Sequence, residues 1–151
     1  MISEEQQREI IDSIHALERC WSDHDLMRIR TLWEELPAPL YLPEEAATAL
    51  TTWESLEAYW RSTAEALPRV AVRSWDYRFH ALADDLVSVI YQMHWDARLA
   101  DGKCMGGDNR VCATLRRHRS GWRFVQYIEA PLAPISYVRL LYERSVTAGF
   151  A

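Results

Sequence analysis

The stretch LVSVIYQMHWDARL, residues 86–99, decides the fold class. Val87, Val89, Tyr91, Met93 and Trp95 alternate with Ser88, Ile90, Gln92, His94 and Asp96. A period of two gives a strand one apolar face and one mixed face. Upstream, Trp75, Tyr77 and Phe79 alternate with Ser74, Asp76, Arg78 and His80, and further strand-like runs cover roughly 107–118 and 122–130. The runs are separated by Ala83-Asp84-Asp85, Asp101-Gly102-Lys103 and Arg119-Ser120-Gly121, which carry turn chemistry. All six prolines fall before residue 69 or after residue 130. A proline-free stretch punctuated by glycine is expected of an antiparallel meander.

Outside the meander the apolar period lengthens to that of a helix. Ser3 and Gln6 form a capping box ahead of Ile10, Ile14, Leu17 and Trp21. Asp23 is placed to cap a second helix carrying Leu26, Ile29, Leu32, Trp33 and Leu36, stopped by Pro37 and Pro39. Thr51 and Glu54 suggest a box for a third helix with Trp53, Leu56, Trp60 and Leu67 on one face. Pro134 suits the first turn of a last helix with Ile135, Val138, Leu141 and Tyr142 on one side.

Composition narrows the function classes. A chain of 151 residues is expected to form one domain. Its net charge of −5 leaves no excess of Lys and Arg for phosphates, so nucleic acid is not an expected partner. No apolar run reaches the ~18 residues of a membrane span. The start MISEEQQREII has neither the basic residues nor the apolar run of a signal peptide. Cys20, Cys104 and Cys112 make no C-x-x-C pair, which points away from a disulfide framework or zinc site and toward a reduced, cytoplasmic setting. No phosphate-binding, dinucleotide or metallopeptidase motif occurs, and no metal or cofactor is expected. Seven Trp and seven Tyr against three Phe favour aromatics with a polar handle, the rings of cores, pockets and interfaces.

Strand register turns these patterns into a candidate site. With three-residue loops at the first two turns, Trp75 pairs with Met93, Tyr77 with Tyr91, Phe79 with Val89, and Met93 with Val111. Around Ser120, Leu115 pairs with Phe124 and Val111 with Ile128. A one-residue slip would send every side chain to the wrong face, and this register unites the apolar faces. The mixed face then carries Ser74, His94, Arg110 and Glu129 in one row, with Asp76, Gln92, Cys112 and Tyr127 in the next. Arg110 can pair with Glu129 and orient an anionic or carbonyl-bearing ligand. His94 titrates near neutrality and suits acid–base work, with Asp96 as its orienter or as the base itself. The same row also fits an exposed sheet face or a dimer surface with ordinary cross-strand ion pairs. A bulge at Gly106-Gly107 would shift one strand.

The order of three helices, a meander and a last helix resembles the nuclear transport factor 2-like superfamily in its polyketide-cyclase-like branch. The residues that carry the resemblance are Cys20–Leu26 with Leu32-Trp33, Leu50–Trp53 with Tyr59-Trp60, and Gly121–Val125 after Arg116-Arg117. It implies an α+β fold in which a strongly curved antiparallel sheet wraps around the N-terminal helices as a cone, with a C-terminal helix. It also implies a pocket for a small, mostly apolar molecule and a homodimer through the sheet face. For an enzyme the implied chemistry is cofactor-independent isomerisation, dehydration or cyclisation. Asp96 or His94 would move the proton, Arg110 or Tyr127 would steady oxyanion charge, and Glu129 would hold Arg110. Trp21, Trp53 and Tyr59 are the aromatic ligand contacts expected from the helices. The other reading is a non-catalytic ligand-binding or association module. Either face of the sheet can be the concave one.

Overall fold

A computed structural model describes residues 2–133 and 135–149. Its elements run α1 (Glu4–Asp23), α2 (Leu26–Thr31), β1 (Leu40–Leu42), α3 (Trp53–Ala66), β2 (Arg69–Ala83), β3 (Leu86–Arg98), β4 (Cys104–His118), β5 (Gly121–Pro131) and α4 (Ile135–Arg144). The Ser3–Gln6 capping box opens α1 as expected. The other two caps move: Asp25 rather than Asp23 caps α2, and Thr52 with Ser55 forms the box of α3. A cap of this kind stabilises a helix by about 1 kcal/mol. The second helix is also shorter than its apolar spacing implies. Trp33 leaves it to make a parallel bridge to Phe124 and is buried there. Pro134 lies outside the described residues, as do the side chains of Ile135 and Val138, while Leu141 and Tyr142 of α4 are exposed.

The sheet has the order β1-β5-β4-β3-β2. The four long strands form the expected antiparallel meander, and β1 adds a parallel edge to β5, which makes the sheet mixed. β1 is only three residues long and lies between prolines, too short to show a period. Tyr41 in β1 exchanges backbone hydrogen bonds with Leu50, so residues 42–49 fold back as a flap. Helix α1 touches both β2 and β5, which lie on opposite sides of the β3–β4 hairpin. The sheet therefore curls around α1, and its apolar face is the concave one. Ile10, Ile14 and Leu17 of α1, Leu56 and Trp60 of α3, and Val89, Tyr91, Val111 and Leu115 of the sheet form the core between them.

Register holds in the centre and changes at the flanks. β3 and β4 pair without interruption from Leu86↔Arg116 to Arg98↔Cys104, so no bulge sits at Gly106-Gly107. The pairing is Tyr91↔Val111 and Met93↔Asn109, two residues from expectation, because the connecting loop centres on Asp101. A shift of two keeps every side chain on its face. β2 behaves differently. Phe79 pairs with Val89 as expected, but an irregularity between Trp75 and Arg78, with Asp76 at φ 57°, puts Ser74 rather than Trp75 opposite Met93. Trp75 consequently points outward and is 38% exposed. In β5, Leu115 pairs with Phe124 as expected, yet Thr114 pairs with Gln126, leaving Val125 as an extra residue. Beyond that bulge Tyr127 stands opposite Ala113 and Glu129 opposite Val111, on the concave face.

Candidate functional site

The two irregular strands break up the polar row read from the sequence. Ser74, Tyr127 and Glu129 turn inward, while His94, Asp96 and Arg110 stay on the convex face. Between the concave face and the helices lies a cavity of about 290 Å³. Leu17, Trp21, Tyr59 and Leu67 line it from the helices, and Val72, Met93, Trp95 and Tyr127 from the sheet. Four of the expected ligand contacts, Trp21, Tyr59, Tyr127 and Glu129, thus meet at one space. The fold-back after β1 adds Glu44 and Glu45, and α1 adds Glu18.

Glu129 is the most constrained of these acids. Its Oε1 accepts a 3.0 Å hydrogen bond from the Tyr41 hydroxyl, and its Oε2 accepts one of 3.3 Å from the Glu44 backbone N–H. Burial pushes its carboxyl up to about 7, against the pull of those two donors, and the neighbouring Glu44 and Glu45 push it further the same way. Burial also raises Glu44 and Glu18 above the ordinary carboxylate range. The Ser74 hydroxyl donates to Glu18 and offsets part of its shift.

The tyrosines are held protonated. Burial raises Tyr41, Tyr59, Tyr91 and Tyr127 above the usual phenol value. Tyr59 donates to Glu45 at 2.9 Å, and Tyr91 donates to the Tyr127 oxygen at 3.0 Å. Tyr127 in turn donates to the Met93 sulfur at 3.6 Å. A thioether is a weak acceptor, so the Tyr127 proton is the one most readily redirected to another oxygen.

The remaining expected site residues lie elsewhere. His94 Nδ1 is 2.7 Å from Asp108 Oδ1 and its Nε2 is 3.1 Å from Asp96 Oδ1. Hydrogen bonds to Asp108 and then Asp96 raise its pKa. This trio sits outside the cavity, because β3 alternates without a break and Met93 and Trp95 face inward. Arg110 is exposed beside Gln92 and Ala130 and does not meet Glu129, whose partners are Tyr41 and the Glu44 amide instead. Trp53 does not line the cavity either. The Arg30 guanidinium lies 3.3 Å from its ring centroid, and the ring packs edge-on against Trp33. Among the described residues no group of three or more His, Cys, Asp or Glu side chains is arranged to hold a metal ion.

Two glycines of β4 admit side chains against the strand, one on the cavity side and one on the convex side. A Cβ on Gly107 would stand 3.2 Å from the Trp95 indole, so the ring lies directly over that backbone. A Cβ on Gly106 would be 2.9 Å from both Trp95 O and Asp96 Oδ1. The pair that sequence reading offered as a bulge instead lets two side chains lie flat, one on each face.

A curved mixed sheet wrapped on a long N-terminal helix, with a carboxylate-lined cavity between them, defines the class of α+β cone domains. The chain belongs to the SnoaL-like domain family, whose model matches residues 10–134. No curated protein sequence matches it significantly. Among solved structures, a nuclear transport factor 2-like superfamily protein from Salmonella enterica is similar at 13% identity, with a TM-score of 0.75 over 97% of both chains. A proposed dehydratase of the same family from Streptomyces avermitilis shares 12% identity and a TM-score of 0.73 over 87% of this chain and 100% of that one. A proposed scytalone dehydratase from Novosphingobium aromaticivorans gives 8% and 0.76 over 84% of each. These likenesses define the fold, and no helix of the described residues is long and apolar enough to cross a membrane.

Proposed function

We propose that the cavity binds a small, mostly apolar molecule and that Glu129 moves a proton on it, in a dehydration or isomerisation without a cofactor. The observation that carries this reading is a carboxyl inside an aromatic cavity with a proton affinity near neutrality. Such a group exists in comparable amounts as acid and base at pH 7, which is where general acid–base catalysis works best. For a dehydration, carboxylate Glu129 would take a proton from carbon. The C–H pair becomes the new double bond as the C–O bond breaks, and the hydroxyl leaves as water with the proton that Glu129 has just taken from carbon. Tyr127 would turn its proton from Met93 to the oxygen that gains charge. The neighbouring folds include two proposed dehydratases, which is consistent with this class of reaction. The proton-transfer role first given to His94 and Asp96 passes to Glu129 because neither of them lines the cavity.

The test is a screen of small hydroxy-ketones and hydroxy-aromatics for the ultraviolet absorbance of a new conjugated double bond. Turnover is expected in the native protein and in His94→Gln, and is expected to vanish in Glu129→Gln. Turnover that survives Glu129→Gln, or that disappears in His94→Gln, sinks the assignment. The convex sheet face, with Trp75 and Ile90 exposed beside Arg110, is the surface through which a homodimer would form. A protein that sediments as a monomer at micromolar concentration would overturn that part. Three free cysteines fit a reduced, cytoplasmic setting.

A further inference from the structure

We infer that the molecule taken up by this cavity is an organic cation, an ammonium group carried on an apolar or aromatic body; this rests on reading the cavity as a ligand pocket. Four carboxylates line the space, Glu18, Glu44, Glu45 and Glu129, and among the described lining residues there is no Lys, Arg or His. Elsewhere in the molecule several acids have cationic partners: Arg30 serves Glu35 and Glu57, Arg78 serves Asp76, and His94 serves Asp96 and Asp108. The cavity acids form no ion pair among the described residues. An isolated carboxylate withdrawn from water is costly, and it either takes up a proton or acquires a positive partner. Here the protein supplies only neutral donors to Glu129, the Tyr41 hydroxyl and a backbone amide.

The walls favour the same charge. Trp21, Trp95, Tyr41, Tyr59 and Tyr127 present aromatic rings to the space, and ring faces attract cations. The tyrosine hydroxyls send their protons to Glu129, Glu45 and Met93, so what they offer a ligand in this arrangement is oxygen lone pairs. A separate observation lies beneath Glu44. Asn109, opposite Met93 on the concave face, is 1% exposed, and neither its amide oxygen nor its nitrogen has a partner. The Trp95 indole N–H is likewise buried and unpartnered. Both favour the charged form of Glu44 without completing a hydrogen bond to it. A ligand ammonium at Glu44 and Glu129 would draw these carboxyls into their charged forms. Glu44 could then accept from the waiting Trp95 and Asn109 N–H groups.

Three probes of one shape separate the possibilities by calorimetry at pH 7.5: 2-phenylethylammonium, 2-phenylethanol and phenylacetate. The ammonium is expected to bind at least tenfold tighter than the alcohol, with no measurable binding of phenylacetate. Glu44→Gln and Glu129→Gln, both near-isosteric, are each expected to cut that preference at least threefold. Melting curves confirm that both variants are folded. If the alcohol or phenylacetate binds as well as the ammonium, or the preference persists in both variants, the cation inference is overturned and the pocket stands. If none of the three binds the native protein, the pocket reading falls with it.

Discussion

Glu129 and Asp96 are carboxylates on opposite faces of one sheet, and their surroundings make them different reagents. Asp96 is exposed and shares the His94 ring with Asp108, so its carboxyl meets water and an imidazole that these two partners make easier to protonate. Glu129 faces a cavity with other acids and no cation among the described residues, and burial lifts its carboxyl to about 7. The convex arrangement raises the proton affinity of a histidine and thereby steadies the folded chain. The concave one raises the proton affinity of an acid and works against folding at neutral pH. Residue type alone named both as candidates; exposure and company separate them.

The comparison is broken most severely by removing what creates it. Deleting Val125 alone removes only the extra residue and keeps Tyr127 and Glu129 inward. Deleting Val125 together with Gln126 would instead put Tyr127 opposite Thr114 and Glu129 opposite Cys112, on the convex face. The buried Tyr41–Tyr127 stack, with centroids 5.5 Å apart, would be lost. We expect the double deletion to fail to fold or to melt far below the native protein; a double deletion that melts normally would show that spacing along β5 does not set the face.

In the proposed reaction, Glu129→Gln should lower kcat by about 10²–10⁴-fold, the usual span for a general acid–base group, while Asp96→Asn stays within a few-fold of native. The same substitution has a second readout. With a folded value of about 7 against an ordinary 4.5, Glu129 is protonated in both states at low pH. Stability linked to it is present below the unfolded value and lost as pH rises through 7. The loss is on the order of 3 kcal/mol by linkage. Glu129→Gln should therefore melt higher than native at pH 8 and near native at pH 4. Equal melting shifts at both pH values would remove the pH linkage. A group that impairs folding and supports activity belongs to a working site.

Much of the architecture is visible in the sequence because β3 and β4 alternate cleanly and their helices carry clear stripes. The flanks are where reading fails. In β2, Val70 and Val72 lie on even positions and Tyr77 and Phe79 on odd ones, so a change of parity was written there. The aromatic Trp75 obscured it by extending the odd set. In β5 no such signal exists, since Tyr127 and Glu129 look at home on a polar face and the extra residue Val125, which nothing in the residue types marks, turns them inward. Glu44 and Glu45 were invisible as site residues because they lie on a fold-back without period.

Smaller effects sharpen the contrast between faces. Gly107→Ala should displace the Trp95 ring by a few tenths of an ångström, cost about 1 kcal/mol and shift the tryptophan emission; an unchanged spectrum would place that ring elsewhere. His94→Gln should cost only about 0.5 kcal/mol or less, because its acids are solvent-exposed. Its raised proton affinity gives stability that is complete below the unfolded value of 6.5 and fades as pH rises through the folded one. The cost of His94→Gln should therefore be greatest near pH 5.5 and disappear at high pH. A larger penalty at pH 9 than at pH 5.5 would contradict the ion-pair account.

The unbroken β3–β4 hairpin also bears on how such a domain diverges. Its pairing acts as a fixed frame, while the extra residue in β5 works like a shift in reading frame. A residue inserted there changes the face of everything beyond it unless a bulge absorbs it, and the bulge at Val125 is what keeps Tyr127 and Glu129 inward. For this scaffold, a change in strand length is a shorter route to a new lining than successive substitutions.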